Sequence, residues 1–339
     1  MILYHLTFIG SNLGYTMNQN YIVKFVIAVI GICLLTSIQA QTPSNATEAN
    51  NIVNITILHI NDIYEIMPVN NGTQGGVARL TTLKEQLVAN NPHTYTILSG
   101  DLFSPSALST ANIDGERLAG KQMVDLMNMA GLDYATFGNH EFDLKEQQFY
   151  DRLTESKFTW FSGNVFDKNS KPFTNVPEYE ILEIKTENNQ VVKIGMIGMI
   201  GVTLNSNLTD YVIYTDPFVT AKEQVKLLKD KVDILIAVTH LSLENYIKLA
   251  TAEPDLDIIL GGHEHENVQV WRGKDFTPVF KADANARSAY IHNLYYNIVI
   301  AHPPPKLDSP YKAMQVCYHS ILYRHNQLIK YMIIYVRKN

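Results

Sequence analysis

Residues 94–109, TYTILSGDLFSPSALS, join an apolar run to a polar loop through one glycine and one acidic residue. The run TYTILS is rich in apolar and β-branched residues, which predicts a buried strand. Gly100 ends that strand, and Asp101 is the first charged side chain after it. A carboxylate placed there indicates a binding position if other strands of the chain end in the same way.

Predicted strands and helices alternate along most of the chain. Strands are predicted at 54–60, 94–100, 133–138, 158–165, 233–240 and 256–265, and helices at 77–90, 116–131, 144–156, 220–232 and 242–252. Residues 178–201 differ, because two apolar runs flank a polar ENNQ turn, which predicts a hairpin. Alternation favours an α/β fold, and the hairpin favours a mixed sheet or two packed sheets.

Polar side chains follow five of the predicted strands. They are Asn61, Asp62 and Tyr64; Asp101; Asn139, His140 and Asp143; His240; and His263 and His265. Ligands of open α/β sheets bind at the carboxyl ends of the strands, so we expect these side chains to converge on one crevice. The acids that alternate with the histidines, Glu141, Glu264 and Glu266, are expected to point away from it.

Carboxylate, amide and imidazole groups together indicate a metal centre. This donor set suits zinc, manganese or iron, and it contains no thiolate. A carboxylate shared by two cations, held about 3.5–4 Å apart, would explain why Asp101 stands alone after its strand. Histidines outside the pattern, such as His59 and His292, are expected to be hydrogen-bonded residues of the core or surface.

Five motifs in this order resemble those of the calcineurin-like metallophosphoesterases. They are ILHINDIYE (57–65), GDLFSPSALS (100–109), FGNHEFD (137–143), THLS (239–242) and GGHEHE (261–266). GGVARLTTL (75–83) and DYATFGNHEFD (133–143) narrow the likeness to the 5'-nucleotidase and UDP-sugar hydrolase branch, over residues 54–290. The resemblance implies a four-layer α/β/β/α sandwich with mixed sheets and a dinuclear metal site at the strand C-terminal ends.

The resemblance also implies a role for each residue. Asp62 and His265 would bind the first of two divalent cations, and Asp101 would bridge to the second. Asn139, His240 and His263 would complete the second site. His140 would be the catalytic histidine, oriented by Asp143. Hydroxide formed at the cations would then attack the phosphorus of a small phosphoester.

Tyr64 departs from the family pattern, which has histidine at this position. A phenol titrates near pH 10, so it ligates well only to a strongly acidic metal such as Fe(III). One interpretation makes Tyr64 a ligand or a hydrogen-bonding neighbour of one. The other makes it a half-buried tyrosine beside a weakened first site.

Composition and the N-terminal segment bear on partners and location. The net charge is −6 and there is no long basic run, which argues against a nucleic-acid polymer as partner. Residues 17–40 have the layout of a secretory signal peptide, after an upstream extension (1–16) and before a flexible leader (41–53). The alternative interpretation of this segment is an uncleaved membrane anchor, whereas cleavage of the signal peptide would leave no stable membrane span. Glycosylation sequons at Asn45, Asn54, Asn71 and Asn207 also favour a secreted or lumenal protein.

The functional prediction is a secreted hydrolase of small phosphoesters, with nucleoside 5'-monophosphates as the leading substrates. Cyclic nucleotides and UDP-sugars are close variants on the same metal core. The metallophosphoesterase domain is predicted at 54–297, and residues 298–339 match no motif. The C-terminal nucleotide-binding domain of 5'-nucleotidases is therefore expected to be absent. Tyr64 and this tail leave two alternatives open, a catalytically impaired metal- or phosphate-binding homologue and a truncated gene product.

Overall fold

The computed structural model describes residues 52–186, 189–201, 210–298, 316–324 and 327–333. The predicted extension, signal peptide and all but the last two residues of the leader lie outside them. The strands, in chain order, are β1 Ile52–Ile60, β2 Thr94–Ser99, β3 Asn112–Ile113, β4 Glu116–Arg117, β5 Tyr134–Thr136, β6 Thr159–Trp160, β7 Val165–Asp167, β8 Tyr179–Lys185, β9 Val191–Ile200, β10 Val212–Tyr214, β11 Ile234–His240, β12 Ile258–Gly261, β13 Val268–Arg272, β14 Thr277–Lys281, β15 Ser288–Asn297, β16 Val316–Arg324 and β17 Gln327–Ile333.

Helices connect most of the parallel strands. They are α1 Val69–Gly72, α2 Val77–Asn90, α3 Ala107–Thr110, α4 Lys121–Ala130, α5 Glu146–Glu155, α6 Pro217–Leu228 and α7 Leu243–Ala252, with a 3-10 helix at Asn139–Asp143. Helix α6 shows why such a helix begins where it does. The carboxylate of Asp216 accepts the backbone N–H groups of Phe218 and Val219, and Pro217 occupies the first turn, where no N–H is needed.

Two mixed sheets form the centre of the fold. Among the described residues, one sheet has the strand order β17-β16-β15-β1-β2-β5-β6 and the other the order β13-β14-β12-β11-β9-β8. Strands β1, β2, β5 and β6 run parallel, as do β9, β11, β12 and β14. Antiparallel strands flank both parallel blocks. The predicted combination of alternating βα units with a hairpin at β8–β9 is confirmed.

Three apolar cores separate four layers. In β1, Ile57 lies in the core between the two sheets, whereas its neighbour Leu58 lies in the core beneath α2, α4 and α5. In β11, Ile236 faces the other sheet and Leu235 faces α6 and α7. Successive side chains of a strand point to opposite faces, so each sheet is covered on both sides. The layers are therefore helix, sheet, sheet, helix, as predicted.

The helix predicted at 116–131 is shorter in the structure. Residues 116–117 pair with 112–113 as a small hairpin, and the helix begins only at Lys121. Gly120, with a φ of 81°, separates the two elements, because left-handed backbone does not continue a right-handed helix. The prediction from apolar spacing had placed the hairpin residues 116–117 inside the helix.

Part of the unassigned C-terminal segment continues the first sheet. Strand β16 pairs antiparallel with β15, and β17 pairs antiparallel with β16. The domain boundary predicted at residue 297 stays a prediction.

No helix within the described ranges combines the length and the apolar character needed to cross a lipid bilayer. Of the sequons, Asn54 and Asn71 are described and both are exposed, whereas Asn45 and Asn207 lie outside the described residues.

Candidate metal centre

The predicted ligands lie where strands of both sheets end. Asp62 and Asp101 follow β1 and β2 of the first sheet, and His240 is the last residue of β11 in the second. The Nδ1 atom of His240 lies 2.8 Å from the carbonyl oxygen of Ser99 and so connects the two strand ends. The site therefore lies at the carboxyl edge of both parallel blocks.

Two buried carboxylates form the base of the site. Asp62 and Asp101 are 0% and 1% exposed. Asp62 Oδ2 accepts the backbone N–H of His263 at 2.9 Å, and Asp101 Oδ1 accepts that of His140 at 2.8 Å. Burial would raise the pKa of Asp62, but His240, His265, the side chain of Asn61 and the N–H of His263 outweigh it and hold the pKa below its usual range. Asp62 is therefore an anion in the folded protein.

His240 faces both carboxylates from within the protein. Its Nε2 atom lies 3.2 Å from Asp101 Oδ2 and 3.9 Å from Asp62 Oδ1. Burial alone would lower the pKa of His240, but the two carboxylates have the larger effect and raise the pKa to about 9. The contact of Nδ1 with Ser99 fixes the ring so that Nε2 is presented to the carboxylates.

Asp62, Asp101 and His240 form a candidate metal-binding cluster, because their ligand atoms all lie within 4.8 Å of one another. A further observation tests whether a cation fits. Within the described residues, the buried Asn139 Oδ1 has no hydrogen-bond partner, and His240 Nε2 faces the carboxylate of Asp101, which is itself a predicted ligand. A buried polar atom without a partner costs free energy unless an ion or water satisfies it. The donors predicted for the second cation therefore fit one.

The loop of GGHEHE completes the site from the end of β12. The rings of His240 and His263 pack edge to face, 5.3 Å apart, and His265 Nε2 lies 3.2 Å from Asp62 Oδ1. Burial, His240 and Lys281 lower the pKa of His263 to about 4, so this ring is neutral, as a metal ligand must be.

Four of the predicted ligands have left-handed backbone. Their φ values are 53° for Asp62, 65° for Asp101, 94° for His263 and 60° for His265. Such backbone is uncommon outside glycine and costs free energy, and it is concentrated at functional sites. The strain at these positions is consistent with side chains aimed at a common centre.

His140 lies at the rim of the site. Its backbone N–H donates to the carboxylate of Asp101, and its Nδ1 atom lies 2.7 Å from Asp143 Oδ2. Burial lowers the pKa of His140, but the hydrogen bond to Asp143 and the nearby carboxylates raise it more, so the net pKa is above its ordinary value. The side chain is 31% exposed, which leaves it accessible to a substrate.

Tyr64 is buried, with 6% of its surface exposed, whereas one interpretation of the sequence had it half-buried. Its hydroxyl oxygen lies 2.8 Å from Asp101 Oδ2, 3.1 Å from Asp62 Oδ1 and 3.0 Å from His265 Nε2. Burial and the two carboxylates raise the pKa of Tyr64 well above its ordinary value. The donors predicted for the first cation are thus already bonded to a neutral phenol, and they do not fit that cation as the second set does.

Glu141, which was expected to point away from the metals, has a role that the sequence did not show. It is fully buried, and its carboxylate accepts the backbone N–H groups of Asp101, Leu102 and Gly138. It therefore braces the loop that carries Asp101. Its position inside NHEFD, directly after His140, was the available signal.

Tyr246 braces the other side of the site in a similar way. Its hydroxyl donates to the carbonyl oxygen of Thr239 and accepts the N–H groups of Leu241 and Gly262. Glu264 contacts the buried Lys281. His59 and His292 are buried core residues, and the ring of His59 is bonded to Gly261 O and Ser99 Oγ.

This arrangement matches a known family. The family model of the calcineurin-like phosphoesterases matches residues 55–267. The chain belongs to the calcineurin-like phosphoesterase family. A 5'-nucleotidase of Vibrio parahaemolyticus is 27% identical over 281 residues, which are 74% of this chain and 47% of that protein. This phosphoesterase-family chain thus spans about half the length of that curated relative.

Solved structures show the same fold. The 5'-nucleotidase precursor of Thermus thermophilus matches with a TM-score of 0.64 at 20% identity, over 82% of this chain and 55% of the other. The calcineurin-like phosphoesterase YfkN of Bacillus subtilis matches with a TM-score of 0.62 at 22% identity, over 79% of this chain and 90% of the other. The predicted family and fold are confirmed.

Proposed function

We propose that this chain is a metal-dependent phosphoesterase that hydrolyses small phosphoesters. The observation that carries the proposal is the cluster of Asp62, Asp101 and His240, whose ligand atoms lie within 4.8 Å of one another beside the His140–Asp143 pair. A buried cation position next to an accessible, oriented imidazole is what hydrolysis of a phosphoester requires. Membership of the calcineurin-like phosphoesterase family supports the same chemistry.

Nucleoside 5'-monophosphates are the leading substrate class. The support is that relatives from Vibrio and cattle are named 5'-nucleotidases. Because this chain spans 47% and 38% of those two proteins, the site that would hold the nucleoside is not assigned to residues here. A nucleic-acid polymer stays an unlikely partner at a net charge of −6.

The chain's own residues would divide the work as follows. Asp101, Asn139, His240 and His263 would hold a divalent cation of zinc, manganese or iron, which would polarise the phosphoryl oxygen and lower the pKa of water. The Nδ1–H of His140 would donate to Asp143, which fixes the tautomer. In the imidazolium form of His140, which its raised pKa favours, the Nε2–H would donate to a phosphoryl oxygen and pass its proton to the leaving group. The sequence predicts two cations, and occupancy of the first position depends on Tyr64.

Secretion is part of the proposal. It is supported by the predicted signal peptide at residues 17–40 and by the exposed sequons at Asn54 and Asn71. Expression in insect or mammalian cells tests it. We expect the chain in the medium, with a gel shift on deglycosylation that decreases in Asn71→Gln. Retention inside the cell without a gel shift would contradict secretion and leave the chemical proposal standing.

One assay tests the chemistry. The full chain is incubated with p-nitrophenyl phosphate and with AMP, in the presence of Mn²⁺ or Zn²⁺. We expect turnover that EDTA abolishes and that His140→Ala lowers by about 10²–10⁴-fold. His93→Ala is the matched control, because His93 directly precedes β2, at the end of that strand opposite the site. A preference for AMP over p-nitrophenyl phosphate would support the nucleotide class.

A second candidate is a metal- or phosphate-binding homologue without catalytic activity. The observation that favours it is Tyr64, whose hydroxyl bonds to three of the donors predicted for the first cation. Metal binding by a folded chain that cleaves neither ester would favour this candidate and contradict the phosphoesterase proposal.

A further inference from the structure

Tyr64 places a hydroxyl oxygen among the donors that the sequence predicts for the first cation. The three contacts are 2.8 Å to Asp101 Oδ2, 3.0 Å to His265 Nε2 and 3.1 Å to Asp62 Oδ1. One phenol can donate its proton to a carboxylate and accept the N–H of an imidazole at the same time. These contacts therefore satisfy a neutral tyrosine without any ion.

A cation at this position would need the same space. Zinc bound by carboxylate and imidazole lies about 2.0–2.2 Å from each donor, inside the group of atoms that now surrounds the phenol oxygen. The donors are already close together, since Asp62 Oδ1 and His265 Nε2 are 3.2 Å apart. The hydroxyl and a cation cannot both occupy the centre of this group.

The position of Tyr64 is fixed by contacts on both its backbone and its ring. Its backbone N–H donates to Asn285 Oδ1 at 2.9 Å, and the backbone N–H of Asn285 donates to the carbonyl oxygen of Asp62 at 2.8 Å. The ring packs edge to face on His140 and against His265, at centroid distances of 5.9 and 5.4 Å. Moving the hydroxyl away would break packing on two sides.

The second position differs in kind. Asn139 Oδ1 is buried and has no hydrogen-bond partner in the described part of the chain, and His240 Nε2 faces the carboxylates of the site, 3.2 Å from Asp101 Oδ2 and 3.9 Å from Asp62 Oδ1. No tyrosine or other hydroxyl bonds to them there, whereas Tyr64 bonds to the donors of the first position. The two halves of the expected dinuclear site therefore present opposite states, one satisfied by the protein and one not.

We propose that the hydroxyl of Tyr64 replaces the first cation, so that this chain binds one divalent cation, held by Asp101, Asn139, His240 and His263. The proposal rests on the metal-binding part of the proposed function. It makes Asp101 a ligand of one ion on one side and a hydrogen-bond acceptor of Tyr64 on the other. It also assigns Asp62 and His265 to holding the tyrosine.

Metal content tests the proposal without any assay of activity. The full chain and its variants are stripped with a chelator, loaded with Mn²⁺, dialysed and measured by elemental analysis and electron paramagnetic resonance. We expect one Mn²⁺ per chain with an uncoupled signal. Tyr64→His supplies the missing imidazole, so we expect two Mn²⁺ per chain with a spin-coupled signal.

His265→Ala provides the matched controls. In the wild-type background it should leave the count at one, because His265 then holds only the tyrosine. In the Tyr64→His background it should return the count from two to one, because His265 has become a ligand. Tyr64→Phe, which keeps the ring and removes the hydroxyl, should also stay at one, and circular dichroism checks that each variant is folded.

Any wild-type count other than one would overturn the proposal. A lower Mn²⁺ count in His265→Ala than in the wild type would also overturn it, because His265 would then be a ligand in the wild-type chain. The same holds if the iron-loaded chain shows a visible iron–tyrosinate absorption that disappears in Tyr64→Phe, because Tyr64 would then bind an ion at the first position. One bound ion without cleavage of AMP or p-nitrophenyl phosphate would support this inference and contradict the phosphoesterase function. Failure of the one-cation inference is thereby distinguishable from failure of the proposed phosphoesterase function.

Discussion

The imidazole of His140 and the carboxylate of Asp143 lie side by side on the 3-10 helix Asn139–Asp143, with 2.7 Å between Nδ1 and Oδ2. The three-residue spacing in NHEFD brings both side chains to the same side of the helix. The carboxylate fixes which nitrogen of His140 carries the proton and which faces outward. Asp143 therefore acts through His140 and is a positioning residue.

Asp143→Asn should lower kcat by about 10–100-fold, because the imidazole loses its fixed tautomer while remaining in place. The loss should be smaller than that of His140→Ala. Asp151→Asn is the matched control, since Asp151 lies on α5, where its carboxylate accepts a hydrogen bond from Gln147 Nε2. Steady-state kinetics with p-nitrophenyl phosphate measures the effect. Equal activity of Asp143→Asn and wild type would remove the positioning role.

Glu141→Gln should destabilise the fold and weaken the metal site. Oε2 of Glu141 accepts the N–H groups of Asp101 and Gly138, and Oε1 accepts those of Leu102 and Phe103. The Gln side chain has one acceptor oxygen, so one of these two pairs of buried N–H groups faces an amide N–H₂ instead. A buried donor without an acceptor costs about 1–3 kcal/mol in the free energy of unfolding. Urea unfolding and Mn²⁺ retention measure both effects.

Glu146→Gln is the control for that variant. Glu146 forms an exposed ion pair with Lys168, and such pairs contribute about 0–1 kcal/mol. Equal unfolding free energies for Glu141→Gln and Glu146→Gln would show that Glu141 does not brace the loop of Asp101.

Gly138→Ala should abolish metal binding through lack of space. A Cβ atom at this position would lie 2.2 Å from Asp101 Oδ1, although the φ of −107° suits any residue. Gly115→Ala is the opposite case, because Gly115 has a φ of 89° and no neighbouring atom within 4 Å of the added carbon. We expect the Gly115 variant to lose stability and keep its metal. Metal retention by Gly138→Ala would contradict the prediction.

His59 should make the protein less stable in acid. Burial lowers its pKa from 6.5 to about 3, even though the carbonyl oxygen of Gly261 and Asp62 raise it. Between these two values the unfolded chain binds a proton that the folded chain does not, so stability is complete above pH 6.5 and is lost as the pH falls toward 3. Each pH unit in this window costs about 1.4 kcal/mol from this residue.

His59→Gln removes one titrating group and should reduce the slope of unfolding free energy against pH across this window, while the contribution of His263 remains. Urea unfolding at fixed pH values, with EDTA present in every sample, measures the slope. His93→Gln is the control and should keep the wild-type slope. Identical slopes for His59→Gln and wild type would show that His59 does not contribute.

The order of the elements and the positions of the ligands followed from local patterns. The apolar run at 233–240 predicted a strand, and the structure shows β11 at Ile234–His240, fully buried. The hairpin at 112–117 was missed, because its two strands are only two residues long and exposed. Such short pairs depend on a turn, here with Gly115 at a positive φ, and carry no periodicity.

The glycines of the site show a similar limit. Glycines precede the predicted ligands at Gly100, Gly138, Gly261 and Gly262, a position typical of sharp turns, and Gly100 has the positive φ of 81° that such a turn uses. The other three have no positive φ, and an added Cβ would instead meet Asp101, Tyr246 or Ser99 within 2.6 Å. Sequence reveals a glycine, but only packing shows whether its freedom or its small size is needed.

The sequence by itself determined which side chains follow the strands, because residue type and apolar spacing are local properties. Tertiary structure alone decided what those side chains contact. The hydroxyl of Tyr64 reaches Asp101 across 37 positions and His265 across 201, and Glu141 reaches the backbone of Asp101 across 40. Hydrogen bonds of this kind depend on how two packed sheets align their strand ends, and no single segment encodes that alignment.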